Sequence, residues 1–228
     1  MSLKTIIVTG ASGNLGQAVV KKFIDEEYRV IGTVHKTGSN SGDNNFEEAE
    51  LDLLNEEDSQ KFVSGVIEKY GAIDVAVLTA GGFVSGDIGK TQIGDITKQY
   101  QLNFETAYNI ARPVFLQMMK QGSGRIFLIG SRQGLNILKG KGALAYGLSK
   151  SLLFRLAELL NEEAKNKNVV VNVIVPSVID TPSNRESMPD ANFSDWVVPS
   201  AIADVIYFYS SDAANAIREP LIKMYNNA

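Results

Sequence analysis

Runs of consecutive apolar residues, each bounded by turn-forming residues, recur at 4–9, 29–34, 74–79, 124–129 and 169–175. Segments in which apolar residues return every three or four positions lie between them, and this alternation is the pattern of βαβ units. The run at 169–175 reads VVVNVIV without polar alternation, so that strand is expected to be covered on both faces, as in a parallel sheet. The predicted fold class is therefore α/β, a doubly wound parallel sheet with helices on both faces. Helices are expected over 15–26, 56–70, 96–121, 145–164 and 200–210, with Pro113 inside or interrupting the third. Within 145–164, Leu148, Leu152, Leu156 and Leu159 share a stripe that predicts one buried face. The stretches 37–45 and 180–196 are polar or irregular and are expected to be loops over the sheet edge.

Composition narrows the function classes. With 44% apolar and 21% charged residues the chain has the make-up of a protein with a sizeable core, and disorder is expected only at the termini and in a few loops. No composition shift or linker divides it, so residues 1–228 are read as one domain, with a substrate loop at about 180–198. A formal charge of −4 argues against a nucleic-acid partner, which calls for a strongly basic face. The absence of cysteine excludes disulfides and thiolate chemistry, and a single histidine argues against a metal site. No apolar run reaches ~18 residues and no basic leader precedes the first strand, so no membrane association and a cytoplasmic location are expected.

Directly after the first strand comes Thr9-Gly10-Ala11-Ser12-Gly13-Asn14-Leu15-Gly16, followed by an amphipathic helix, the setting a dinucleotide-binding turn requires. Glycines at 10, 13 and 16 permit a tight turn, approach of backbone N–H groups to a pyrophosphate, and close packing of helix on strand. The phosphates would sit at the helix N-terminus, where unpaired N–H groups favour negative charge. The second strand ends Thr33-Val34-His35-Lys36. An acidic residue there would bond a ribose 2′-hydroxyl and repel a 2′-phosphate; its absence, with His35 and Lys36 nearby, favours NADP(H) over NAD(H).

Tyr146 and Lys150 stand four residues apart on one face of a predicted helix. A phenol titrates near ~10 in water, and a neighbouring cation stabilises the phenolate by ~1.4 kcal/mol for each pKa unit of lowering. Lys150 is the expected source of that cation. The pair by itself is a common feature of ordinary helices, so its partners decide its meaning.

Those partners are TGASGNLG, Asp52, Ala80-Gly81-Gly82, Asn103, Ser131, Tyr146-x-x-x-Lys150 and Pro176 to Thr181, in an order and over a length of chain that resemble the short-chain dehydrogenase/reductase family. The resemblance implies a Rossmann fold with Tyr146 as general acid/base, Lys150 tuning it and holding the nicotinamide ribose, Ser131 orienting the carbonyl and Asn103 supporting a water relay. It further implies Asp52 and Leu53 at the adenine, Ala80, Gly81 and Gly82 along the cofactor, and Pro176, Val178 and Thr181 beside the nicotinamide amide. Homodimers or homotetramers sharing the helices at about 96–121 and 145–164 are expected on the same ground. Two positions depart from the family pattern: Asn14 replaces the middle glycine of TGxxxGxG, and Ser177 stands where glycine commonly follows the proline. A narrower resemblance, in Ala80-Gly81-Gly82-Phe83 and in residues 180–196, is to dihydropteridine reductase, a branch that does not need the serine retained here as Ser131. Residues 180–196 carry Met188, Phe193 and Trp196, which would either cover the core or form a substrate lid that excludes water.

The reading that follows is an NAD(P)(H)-dependent oxidoreductase transferring a hydride to a carbonyl or quinonoid, pterin-like substrate while Tyr146 donates a proton. Two alternatives stay open. A sugar-nucleotide epimerase or dehydratase shares the TGxxGxxG spacing, although 228 residues leave little room for the added substrate domain. A non-enzymatic NAD(P)-binding sensor or scaffold would not need the Tyr, Lys and Ser set.

Overall fold

The computed structural model describes residues 3–36 and 43–227. Each expected strand is present: β1 Thr5–Thr9, β2 Arg29–Val34, β4 Val75–Leu78, β5 Ser123–Ile129 and β6 Asn168–Pro176. Two further strands, β3 Phe46–Glu50 and β7 Leu221–Met224, complete a sheet in the order β3-β2-β1-β4-β5-β6-β7. Every neighbouring pair is parallel. Both additions are edge strands. β3 reads FEEAE, and charge on an edge strand discourages pairing with other chains while hiding the strand from an apolar-run search.

Alternate residues of each inner strand serve opposite faces of the sheet, which is why β6 is continuously apolar. On one face Ile6 and Val8 pack with Val19 and Phe23 of α1 (Asn14–Asp25) and with Ile202 and Ile206 of α8 (Pro199–Ser210). On the other, Ile7 and Val171 meet Val63 of α2 (Glu56–Tyr70), Ile110 and Met118 of α4 (Thr106–Gln121) and Leu153 of α6 (Leu144–Glu163). β1 pairs with β2 on one side and β4 on the other, so the chain winds outward in both directions and leaves a crevice at the C-terminal ends of these strands.

Several expectations change. The helix expected over 96–121 begins at Ile93, and α3 (Ile93–Tyr100) joins α4 through a π-helical turn at Gln101–Glu105. Pro113 lies inside α4 without ending it; burial of Ile110, Ala111 and Val114 against the sheet outweighs the missing N–H. The leucine stripe of α6 does not face the core. Leu148, Leu152 and Leu159 are 48, 38 and 65% exposed, and only Leu156 of the four is buried. Lys150, Leu153 and Ala157 occupy the core side roughly half a turn away, because the helix carries two apolar stripes and periodicity does not say which meets the sheet. The stretch 180–196 contains a short helix, α7 (Pro182–Ser187), and a 3₁₀ turn at Phe193–Asp195. Of the other expected loop, residues 37–42 lie outside the described residues, and Asp43 accepts from the Asn45 N–H at 2.8 Å to turn the chain into β3. Among the described residues no helix is long and apolar enough to cross a membrane.

Candidate active site

β1 leads into Gly10, whose φ of +64° is a left-handed conformation that favours glycine. The turn is fastened to β2 by the Ala11 N–H donating to the Thr33 carbonyl at 3.0 Å, and closed by the Gly13 N–H donating to the Gly10 carbonyl at 2.9 Å. A Cβ on Gly16 would lie 2.1 Å from the Gly10 oxygen, so α1 can approach the turn only with glycine there. Asn14, the departure from the family pattern, is the exposed first residue of α1 and does not obstruct the turn. The helix receives no side-chain cap, since Gly13 occupies the N-cap, and its first-turn N–H groups remain for a ligand.

This turn forms one wall of a groove of about 640 Å³. Gly10, Ser12, Gly13, Asn14, Leu15 and Gly16 line it together with His35, Asp52, Leu53, Ala80, Gly81 and Thr181. Asp52 is held by accepting from the Leu54 N–H at 3.0 Å. Lys36 is exposed and is not one of the lining residues. Sequence reasoning missed Lys98, Gln101, Leu102 and Thr106, which also line the groove. Lys98, Leu102 and Thr106 recur every four residues along the helix predicted over 96–121, and that was the available signal. The uncapped helix end and the tightly packed glycine turn fit a dinucleotide.

A second, smaller pocket of about 260 Å³ is lined by Phe83, Ser131, Tyr146, Pro176, Val178 and Met188 among others. α6 carries Tyr146 into it. Ser131, two residues past β5, is the N-cap of α5 (Arg132–Leu135), its Oγ accepting from the Gly134 N–H at 3.1 Å, and it lines the pocket together with Tyr146. The Phe83 ring stands edge-on to Tyr146 with centroids 5.0 Å apart. Gln133, Ile179 and Asn184 also line this pocket and were not singled out from sequence.

Lys150 and Asn103 lie behind these walls. The Lys150 Nζ donates to the Ile129 carbonyl at 2.8 Å and stands 5.9 Å from the centre of the Tyr146 ring. A Cβ on Gly81 would come within 2.7 Å of Asn103 Oδ1 and 3.3 Å of Lys150 Nζ, so this glycine lets the cofactor wall rest on both. Asn103 sits in the π turn, its Oδ1 accepting from the Gly82 N–H and its Nδ2 donating to the Gly82 carbonyl, both at 3.0 Å. The wide turn is a local departure of the kind found at functional sites.

The electrostatics differ from the simple expectation. Burial pushes the Tyr146 phenol above its ordinary range, opposed by the Ser131 side chain, and Lys150 is not among the causes. Lys150 is itself brought down from 10.5 to about 8 by burial. The hydrogen bond found for the ammonium runs to the Ile129 main-chain carbonyl, and burial is the first cause of the shift at both groups.

A family model described as short chain dehydrogenase matches residues 4–192. The chain belongs to the short-chain dehydrogenase family. It is an NAD(P)-dependent oxidoreductase by that membership. Among curated relatives of the family, dihydropteridine reductase of Dictyostelium discoideum is 28% identical over 92% of this chain and 89% of its own length. Acetoacetyl-CoA reductase of an Acinetobacter strain is 29% identical, covering 78% of this chain and 75% of its own. The solved structure "ElxO with NADP Bound" superposes with a TM-score of 0.89 over 97% of both chains at 23% identity, a likeness of fold.

Proposed function

We propose that this short-chain dehydrogenase reduces a carbonyl or a quinonoid, pterin-like ring, with Tyr146 as proton donor. The observation that carries the reading is that Tyr146 and Ser131 line one pocket, while the glycine turn and the uncapped end of α1 line a groove that fits a dinucleotide. When bound, NAD(P)H supplies the hydride. Tyr146 passes its phenolic proton to the oxygen or nitrogen of the acceptor; burial keeps the phenol protonated at neutral pH, which suits the reductive direction. Ser131 holds the acceptor atom beside that phenol. Lys150, with a pKa of about 8, is largely charged at neutral pH and is the cation of the site. Asn103 fixes the Gly81-Gly82 turn, and we assign it the support of a water relay to Lys150.

In the groove, Gly10 and residues 12–16 would hold the pyrophosphate, Asp52 and Leu53 the adenine, Ala80, Gly81 and Gly82 the middle of the cofactor, and Pro176, Val178 and Thr181 the nicotinamide amide. NADP(H) is favoured because β2 runs out into exposed His35 and Lys36 with no carboxylate between. We read the chain as one domain in which residues 180–198 form a substrate lid, working in the cytoplasm. Exposed Tyr108 and Leu116 of α4 and Leu148, Leu152 and Leu159 of α6 support assembly into a homodimer or homotetramer through those helices. The dihydropteridine reductase relative supports the pterin option and the acetoacetyl-CoA reductase relative the carbonyl option.

Purified protein assayed with NADH and NADPH over a panel of quinonoid dihydropterins and ketones tests the reading. Tyr146→Phe is expected to lower turnover at least about a hundredfold while leaving NADPH affinity within about twofold. A variant that turns over like the parent would remove Tyr146 from its role.

A further inference from the structure

Ser177 departs from the family pattern, and its partners lie at the far end of the chain. Its N–H donates to the Met224 carbonyl at 2.9 Å and its hydroxyl to the Tyr225 carbonyl at 2.8 Å. Tyr225 in turn lies under the guanidinium of Arg132, 4.9 Å from the ring centre, and Arg132 is the residue after Ser131. One residue on, Asn226 adopts a left-handed φ of 51° and donates from Nδ2 to the carbonyls of Ser194 at 3.0 Å and Trp196 at 3.1 Å. The segment after β7 thus touches the serine turn, the stretch that follows Pro176, and the returning limb of the substrate loop.

That limb is already zipped to the pocket wall, since the Val197 N–H donates to the Val178 carbonyl and the Asp180 N–H to the Val197 carbonyl, both at 2.9 Å. Inside the loop Arg185 grips Asp180 with two bonds of 2.6 and 2.7 Å and lies over Phe193. These bonds hold the loop together internally, and Asn226 joins its returning limb to the segment after β7. Arg132, next to Ser131, and Ser177, next to Val178, thus meet the same three residues, 224–226, that hold the returning limb of the loop.

We propose that Tyr225 and Asn226 are positioning residues for the reaction, a clasp that sets the width of the acceptor pocket by holding the substrate loop and the serine turn at one separation. The inference rests on the proposed function for what the pocket does, but the clasp can be read without turnover. Trp196 is the only tryptophan of the chain, is buried, and carries one of the two carbonyls held by Asn226.

Asn226→Asp keeps the shape and removes both donors; Ser177→Ala removes the hydroxyl bond and is a second route should the first variant fail to fold. In the NADPH-loaded protein each is expected to red-shift Trp196 emission and to speed amide exchange over residues 188–198 about tenfold. Thermal midpoint and NADPH affinity should stay near the parent values. With a quinonoid dihydropterin as probe, kcat/KM is expected to fall about tenfold, mainly through KM. Unchanged Trp196 emission and loop exchange in both variants would overturn the clasp, as would a joint collapse of thermal midpoint and NADPH affinity, the mark of a purely structural role. Failure of the parent to reduce the pterin would count against the pterin reading of the site instead, leaving Trp196 to decide the clasp.

Discussion

Lys150 is a charge placed in the core, and its removal should make the protein more stable. The residue is 5% exposed, and burial alone lowers its pKa from 10.5 to about 8. That drop corresponds to a cost on the order of 3 kcal/mol for keeping the ammonium in the folded state. Lys150→Met removes the charge at similar volume and gives up the bond to the Ile129 carbonyl, a loss of about 1 kcal/mol. The net gain at pH 7 is about 2 kcal/mol, or roughly 5 °C in the melting temperature of a chain this size. Because the folded pKa lies below the unfolded one, the unfolded chain binds more protons between about 8 and 10.5. The parent therefore gains stability as pH rises through that window, carries the full cost below it and none above it. Urea unfolding of cofactor-free parent and variant at pH 7 and near pH 10.5 measures this, and the variant's advantage should vanish at the higher pH and turn into a deficit of up to about 1 kcal/mol, the lost bond to Ile129. A variant less stable than the parent at pH 7, with a gap that ignores pH, would refute the reasoning.

Gly16→Ala forces a Cβ to within 2.1 Å of the Gly10 oxygen, so it should abolish NADPH binding by fluorescence titration and destabilise the fold by about 2 kcal/mol or more. His35→Asp puts a carboxylate at the exit of β2 on the groove wall; the ratio of NADPH to NADH affinity should fall at least about tenfold. Leu152→Glu combined with Leu159→Glu charges the exposed stripe of α6, and gel filtration should then return a monomer if those leucines meet another copy. The single-chain thermal stability should barely change, since neither leucine packs in the core.

Much of this protein is determined locally and can be read along the chain. Uninterrupted apolar runs specify the five inner strands because a strand covered on both faces admits little else, and the glycine turn between β1 and α1 is recognisable because backbone sterics leave few other residues able to occupy it. The pairing of Tyr146 with Lys150 follows from helical spacing. Tertiary structure alone decided the rest. It chose which of two apolar stripes on α6 met the sheet, since both satisfy the same period. It recruited the edge strands β3 and β7, whose stability comes from neighbours rather than from their own composition. It buried Lys150 against the Ile129 carbonyl, and burial is the first cause of the shift at both titrating groups. And it brought Asn226 onto the carbonyls of Ser194 and Trp196 some thirty residues earlier. A hydrogen bond between side chain and distant backbone leaves no periodic trace in the sequence, because any residue supplies the carbonyl and only the folded path of the chain supplies the distance.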